Sequence, residues 1–253
     1  MNKQSNTYII VYSIILVVVV AVVLAFTSLS LAEKQQANVE IEKMSDILGS
    51  VGLYNPEAPA ATENKEAFIK EQYQKYIVES FLVDAQGEKV NVPDPAAAAF
   101  SVLNNLKAEF AKPVDSRQLP VFISKNDQGV VNYILPVYGA GLWGPIWGYI
   151  AMNEDLNTID GAVSGHKGET PGLGAEIATP PFENQFVGKT IFDGAQFVGI
   201  EVLKGAGSSK GNNHAVDAIT GGTITSRAVQ AMLMDCLKDF EPYILKQRAA
   251  LAK

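Results

Sequence analysis

Near its C-terminal end the chain reads Asp217-Ala218-Ile219-Thr220-Gly221-Gly222-Thr223-Ile224-Thr225-Ser226, three threonines, a serine and two adjacent glycines just ahead of a segment with helical periodicity. Adjacent glycines permit positive backbone dihedrals and a close approach of main chain to ligand. A helix starting there presents unpaired N–H groups and the positive end of its dipole. Those are the parts of a phosphate site. The same residues also fit a plainer role, in which Thr225 or Ser226 only caps the following helix.

Two further stretches concentrate glycine. Residues 139–148 hold four glycines together with Trp143 and Trp147, and residues 165–174 read Gly-His-Lys-Gly-Glu-Thr-Pro-Gly-Leu-Gly. Long glycine-rich loops on a rigid sheet are preferred sites of function. A planar cofactor bearing a phosphate would use apolar plates for its ring, main-chain groups for its polar edge and a helix start for its phosphate. Taken singly, each tryptophan reads as core filling.

Other chemistries are poorly supplied. A hydrolase needs a nucleophile, a base and an orienting group, and the two histidines, His166 and His214, lie in glycine- or asparagine-rich loops. His166 with Glu169 nearby could imitate a metal or acid–base site, but the sequence has no HExxH or Cys/His spacing, so no metal is expected. It has no GxxxxGKS phosphate loop and no GxGxxG after a strand, which disfavours nucleotide hydrolysis and a Rossmann site. A net charge of -7 without a Lys/Arg cluster argues against a nucleic-acid partner. The single cysteine, Cys236, excludes a disulfide within this chain and falls on the apolar stripe of an expected helix.

The elements that must position these loops can be read in chain order. Tyr8 to Phe26 is a run of nineteen residues in which Ser13 is the one polar residue that is not aromatic. As a helix it spans roughly 28 Å, enough to cross a bilayer core and longer than the apolar part of a signal peptide. Lys3 before the span orients the tail inward and the body outward. Val39, Met44, Ile47, Leu48 and Val51 then recur at near-helical spacing. A second helix is expected from Thr62, whose hydroxyl could cap it, and a strand from Lys75 to Val83. Pro95 opens a helical segment that runs on to Lys112. Pro120 to Ser124 and Val130 to Val137 read as a hairpin around Asn126, Asp127 and Gly129. Strands follow at Tyr149 to Met152 and Asn157 to Ser164, a short helix at Pro180 to Val187, a last strand at Gln196 to Leu203, and a polar loop to Asn213. From Ser226 to Phe240, Val229, Leu233, Leu237 and Phe240 form the apolar face of a terminal helix. The fold class is therefore α+β, a mainly antiparallel sheet with flanking helices behind one N-terminal transmembrane helix. The expected division is an anchor at 1–32, a helical connector at 33–62 and an extracytoplasmic domain at 63–253.

Asp217-x-x-Thr220-Gly221-Gly222-Thr223-x-Thr225 resembles the covalent flavinylation motif, Asp-x-x-(Ser/Thr)-Gly-Ala-Thr-x-Thr, of the FMN-binding domain family. His166 with Glu169 to Gly174 is similar to that family's second marker, and Leu142-Trp143-Gly144 to a third. The resemblance covers essentially the whole chain. It implies FMN joined by a phosphoester to Thr225, moved there from FAD by a separate flavin transferase, for which Asp217 and Thr220 would be recognition residues. Asp217 is equally suited to forming the turn. No base within the motif is obviously poised to activate the threonine hydroxyl. Flavin contacts are expected from Leu142, Trp143, Glu169, Thr170, Gly172, Leu173, Gly221, Gly222 and Thr223. Gly222 departs from the family's alanine, which relaxes the backbone and leaves the acceptor in place. The implied activity is one-electron transfer inside a multi-subunit sodium-pumping NADH:quinone oxidoreductase of the bacterial inner membrane, with the domain in the periplasm. The partners are then the other subunits, the transferase and membrane lipid. The alternatives are the G subunit of an RNF ferredoxin:NAD+ oxidoreductase and a non-redox exported binding module. The segment of about a hundred residues between span and hairpin favours the quinone reductase.

Overall fold

A computed structural model describes residues 6–56, 58 and 63–251. The chain divides into two compact units, residues 1–43 and 44–253. The first unit consists, among its described residues, of helix α1, Asn6–Ser50, whose last turns from Met44 belong to the second unit. The apolar run of residues 8–26 and the periodic positions Val39, Met44, Ile47 and Leu48 thus fall on one helix, with Val51 just past its end. It is long and apolar enough to cross a membrane.

In the second unit, α2 (Lys65–Tyr76) is capped by Asn64, whose side chain accepts the N–H of Ala67 at 3.1 Å. The cap expected at Thr62 lies outside the described residues. The helix runs through Tyr76, so strand β1 is Ile77–Val83 rather than starting at Lys75. The helical segment after Pro95 divides into α3 (Pro95–Leu103) and α4 (Leu106–Phe110), because Asn105 leaves helical geometry at φ -135°, ψ 34°. The chain then makes β2 (Leu119–Lys125), β3 (Val131–Ala140), β4 (Pro145–Met152) and β5 (Ile159–His166). These form an antiparallel meander in the order β1-β2-β3-β4-β5. Every connection is between neighbours, the arrangement short hairpin loops favour.

Both faces of the sheet are covered, so its strands carry apolar residues at successive positions instead of alternating with polar ones. On one face Val121, Leu135, Val137, Ile146 and Ile150 pack against Val229, Leu233, Leu237, Phe240 and Ile244 of the terminal helix α6 (Thr223–Leu251). Each of these buried side chains contributes about 1.5–3 kcal/mol. On the other face Phe122, Ile134, Tyr149 and Ala151 meet Ala99, Leu103 and Leu106 of α3 and α4, together with Ile47. Gly139 lets α6 come close to the end of β3, since a Cβ there would lie 2.9 Å from Met232 Cβ. That contact brings the start of α6 to the loop end of the sheet.

Between β5 and α6 lie a helix of one turn, α5 (Pro180–Glu183), and two small ribbons. β6 (Phe192–Asp193) pairs with β7 (Gln196–Phe197), while β8 (Glu201–Leu203) pairs in parallel with β9 (Ala215–Asp217). A single strand over Gln196 to Leu203 is therefore not formed. Gly199 breaks it at φ +65°, where a Cβ would also run into the Met234 sulfur. β9 closes what reads in the sequence as plain loop.

Candidate functional site

β9 delivers the chain to Asp217, and a turn then closes with Gly222 N–H donating to Ile219 O at 3.0 Å. Gly221 takes φ +78°, a conformation that costs glycine nothing. Gly222 O accepts the first helical bond, from Ser226 N–H at 2.8 Å. Helix α6 thus begins at Thr223, so neither Thr225 nor Ser226 caps it. Ser226 Oγ instead accepts the N–H of Ile219 at 3.0 Å and ties the turn to the helix. Thr225, only 2% exposed, points the other way and donates its hydroxyl to Glu169 Oε2 at 2.6 Å.

Glu169 comes from the loop after β5 and is 4% exposed. Its Oε1 accepts the N–H of Trp143 at 2.8 Å, and its own N–H donates to His166 Nδ1 at 3.2 Å. Burial works to raise its pKa. The Thr225 hydroxyl, the N–H groups of Trp143 and Leu142 and the field of His166 outweigh that, and hold the carboxyl below its usual range. Two glycines make room for this arrangement. A Cβ at Gly174 would fall on Thr225 Oγ1 and lie 2.5 Å from Glu169 Oε2, and one at Gly141 would lie 2.6 Å from Glu169 Oε1.

Leu142, Glu169, Thr170, Leu173, Gly221, Gly222, Thr223 and Thr225 line one cleft of about 250 Å³, joined by Gly174 and Ile224. The structure thus brings together eight of the residues singled out in the sequence. Trp143 reaches the site through its backbone, while its indole is 67% exposed beside the cleft. That indole does not fill the core. Trp147 does pack inward, its ring lying over Gly165 of the neighbouring strand. Gly172 stands outside the cleft at φ +75° and donates its N–H to Glu176 Oε1 at 3.0 Å. Thr220 borders a second, smaller cleft of about 180 Å³ with Lys204 and Arg227.

Asp217 faces neither cleft. Its carboxylate accepts the N–H groups of Gly207 and Ser209, the latter at 2.7 Å, and so holds the loop after β8. The Ser209 N–H is the largest cause of its lowered pKa. His214 sits apart, its Nδ1 against Thr190 O at 2.6 Å. Gly141, Gly174 and Ile224 are site residues that the sequence alone does not single out. Gly174 closes the Glu169–Gly174 stretch and so carried a signal, whereas Ile224 is the unspecified position of the motif and carried none.

The residues present fit a flat, phosphate-bearing ligand. The cleft is lined by the exposed side chains of Leu142, Leu173 and Ile224, and by the first turn of a long helix with open N–H groups. The class of protein is that of the FMN-binding domains, whose family profile matches residues 141–238. Over nearly full length the chain is 33% identical to the C subunit of the Na+-translocating NADH-quinone reductase of Pasteurella multocida, covering 99% of this chain and 97% of that protein. The corresponding Vibrio vulnificus protein is also 33% identical, over 91% of each chain. The crystal structure of the Parabacteroides distasonis protein of the same name superposes with a TM-score of 0.70 at 38% identity, covering 85% of this chain and 96% of that one. NqrC of Shewanella oneidensis gives 0.66 at 25% identity, over 84% and 99%. The chain belongs to the NqrC family, the C subunits of Na+-translocating NADH-quinone reductases.

Proposed function

We propose that this chain is the membrane-anchored electron-transfer subunit of such a reductase and carries FMN as a phosphoester on Thr225. The observation that carries the reading is the placement of Thr225. Its hydroxyl sits in the first turn of α6, inside the cleft and against Glu169, which supports Thr225 as the acceptor over its neighbours Thr220, Thr223 and Ser226. Leu142, Trp143, Leu173 and Thr223 would hold the ring and its linker, with Thr170, Gly221 and Gly222 supplying close main-chain approach. Gly172 would act by shaping the loop that carries Leu173. Bound FMN would supply the redox chemistry, accepting and releasing electrons. Fixed to the protein through its phosphate, the ring stays free to meet the redox centres of the other subunits.

Maturation requires a flavin transferase, for which Thr220 and the loop held by Asp217 are the recognition surface. Residues 8–26 cross the bacterial inner membrane among its lipids. Residues 63–253 then lie on the periplasmic side, reached through a connector at 33–62. Membership of the NqrC family favours this assignment over an RNF-type subunit or a non-redox binding module. The test is mass spectrometry of the peptide containing Thr225, from chain co-expressed with a flavin transferase. The expected result is one FMN phosphoester at Thr225 that is lost in Thr225→Ala. An unmodified peptide, or modification that persists in Thr225→Ala, overturns the proposal.

A further inference from the structure

We infer that Glu169 is the base on the acceptor side of flavin attachment, taking the proton of the Thr225 hydroxyl as its oxygen bonds to phosphorus. The inference rests on the covalent reading above and adds to it a residue with a chemical role. A threonine hydroxyl is a poor nucleophile unaided. A carboxylate that accepts the hydroxyl proton is the device phosphoryl-transfer enzymes use for the same substrate group. Here the acceptor protein itself carries that carboxylate, 56 residues away in sequence and 2.6 Å from Thr225 Oγ1.

The geometry suits the role in three respects. Thr225 Oγ1–H donates to Glu169 Oε2, so its proton already points at the base and a lone pair is left for phosphorus. Glu169 Oε1 is pinned by the Trp143 N–H, which keeps the carboxylate from swinging away. Gly141 and Gly174 leave the space that both partners occupy, and a side chain at either would push them apart. The hydrogen bonds that hold the carboxyl ionised keep it in the basic form.

The Thr225 Oγ1–P bond forms and the phosphoanhydride P–O bond of FAD breaks. AMP leaves with that electron pair, and the hydroxyl proton passes to Glu169 Oε2 and from there to solvent. Nothing is oxidised or reduced.

The test follows attachment by mass spectrometry with full-length chain, purified flavin transferase and FAD, varying the chain concentration. Glu169→Gln keeps the size of the side chain and still accepts a hydrogen bond, but it is no longer a base. Its kcat for loading Thr225 should fall at least about 100-fold, within the range for removal of a general base. KM for the chain should stay within about twofold of wild type, since the surface the transferase meets is unchanged. A kcat within about fivefold of wild type, or a loss carried by KM alone, overturns the inference. If Glu169→Gln does not fold, Glu169→Asp decides. It keeps the charge but draws the carboxylate back by one methylene, and is expected to lower kcat about tenfold or more at unchanged KM, while a wild-type kcat overturns the inference. Failure of the wild-type chain itself to load overturns the covalent reading and this inference with it. Wild-type loading matched by Glu169→Gln overturns the inference alone.

Discussion

Gly174 decides whether Thr225 and Glu169 can meet. It is buried, its φ is not positive, and its importance lies in the missing side chain rather than in conformational freedom. In Gly174→Ala the new methyl would have to displace the Thr225 hydroxyl or the Glu169 carboxylate. Overpacking of this kind costs about 1–3 kcal/mol, and here the strain falls on the reacting pair. The expected outcome is a modest drop in denaturant midpoint together with loss of flavin from Thr225, read on one preparation by chemical unfolding and by in-gel flavin fluorescence. Full loading in Gly174→Ala would mean that the Thr225–Glu169 contact is dispensable. Trp143 and Trp147 show what single residues in a sequence conceal at this scale. Four positions apart in the same glycine-rich stretch, both read as core, yet one ring lies on Gly165 and the other faces solvent beside the cleft. Trp143 lies in the turn between β3 and β4 while Trp147 lies on β4, a division that neighbouring residue types do not encode.

At the scale of elements, the chain was most legible where turn chemistry is local. The β2–β3 hairpin formed as expected because Asn126 Oδ1 accepts the N–H groups of Gln128 and Val130, at 2.9 and 3.0 Å, and Gly129 takes φ +85°. The long terminal helix was likewise evident from its apolar stripe, and the motif at its start from residue types alone. The β6–β9 ribbons were not, since two- and three-residue strands have no period to detect and their pairings are set by packing against α6. The pairing of Glu169 with Thr225 was hidden for a related reason, because it joins the loop after β5 to the first turn of α6, 56 residues further on. The loop after β8 also depends on a distant residue. Asp217 holds it by accepting two backbone N–H groups, and Asp217 N–H in turn donates to Gln185 Oε1 at 2.7 Å. Asp217→Ala removes both acceptors, a loss of about 1.5–3 kcal/mol for hydrogen bonds to a charged group, concentrated in the loop. Amide hydrogen exchange should speed up at residues 205–211 and remain slow in β3, β4 and α6. Unchanged exchange in the loop would show that Asp217 does not hold it.

At the scale of the whole molecule, the chain divides into two compact units, residues 1–43 and 44–253. Residues 44–253 contain both core clusters and every residue of the cleft, so the fold of this unit should not depend on residues 1–43. Cys236 supplies an internal reporter. It is 2% exposed on the apolar face of α6, its Sγ donates to Tyr138 O at 3.4 Å, and burial pushes its thiol up to about 12. The thiolate is the reactive form, and burial that raises the thiol's pKa keeps it scarce at pH 8. Labelling by a maleimide therefore has to wait for the helix to leave the sheet, and its rate reports how often the core opens. Residues 44–253 produced alone should be soluble and should label at the rate of the full chain in detergent, within about threefold, with both accelerating together as denaturant opens the core. The apolar run at 8–26 would then be needed only for the membrane. Immediate labelling of the truncated chain under native conditions would show that the first unit contributes to the stability of the second.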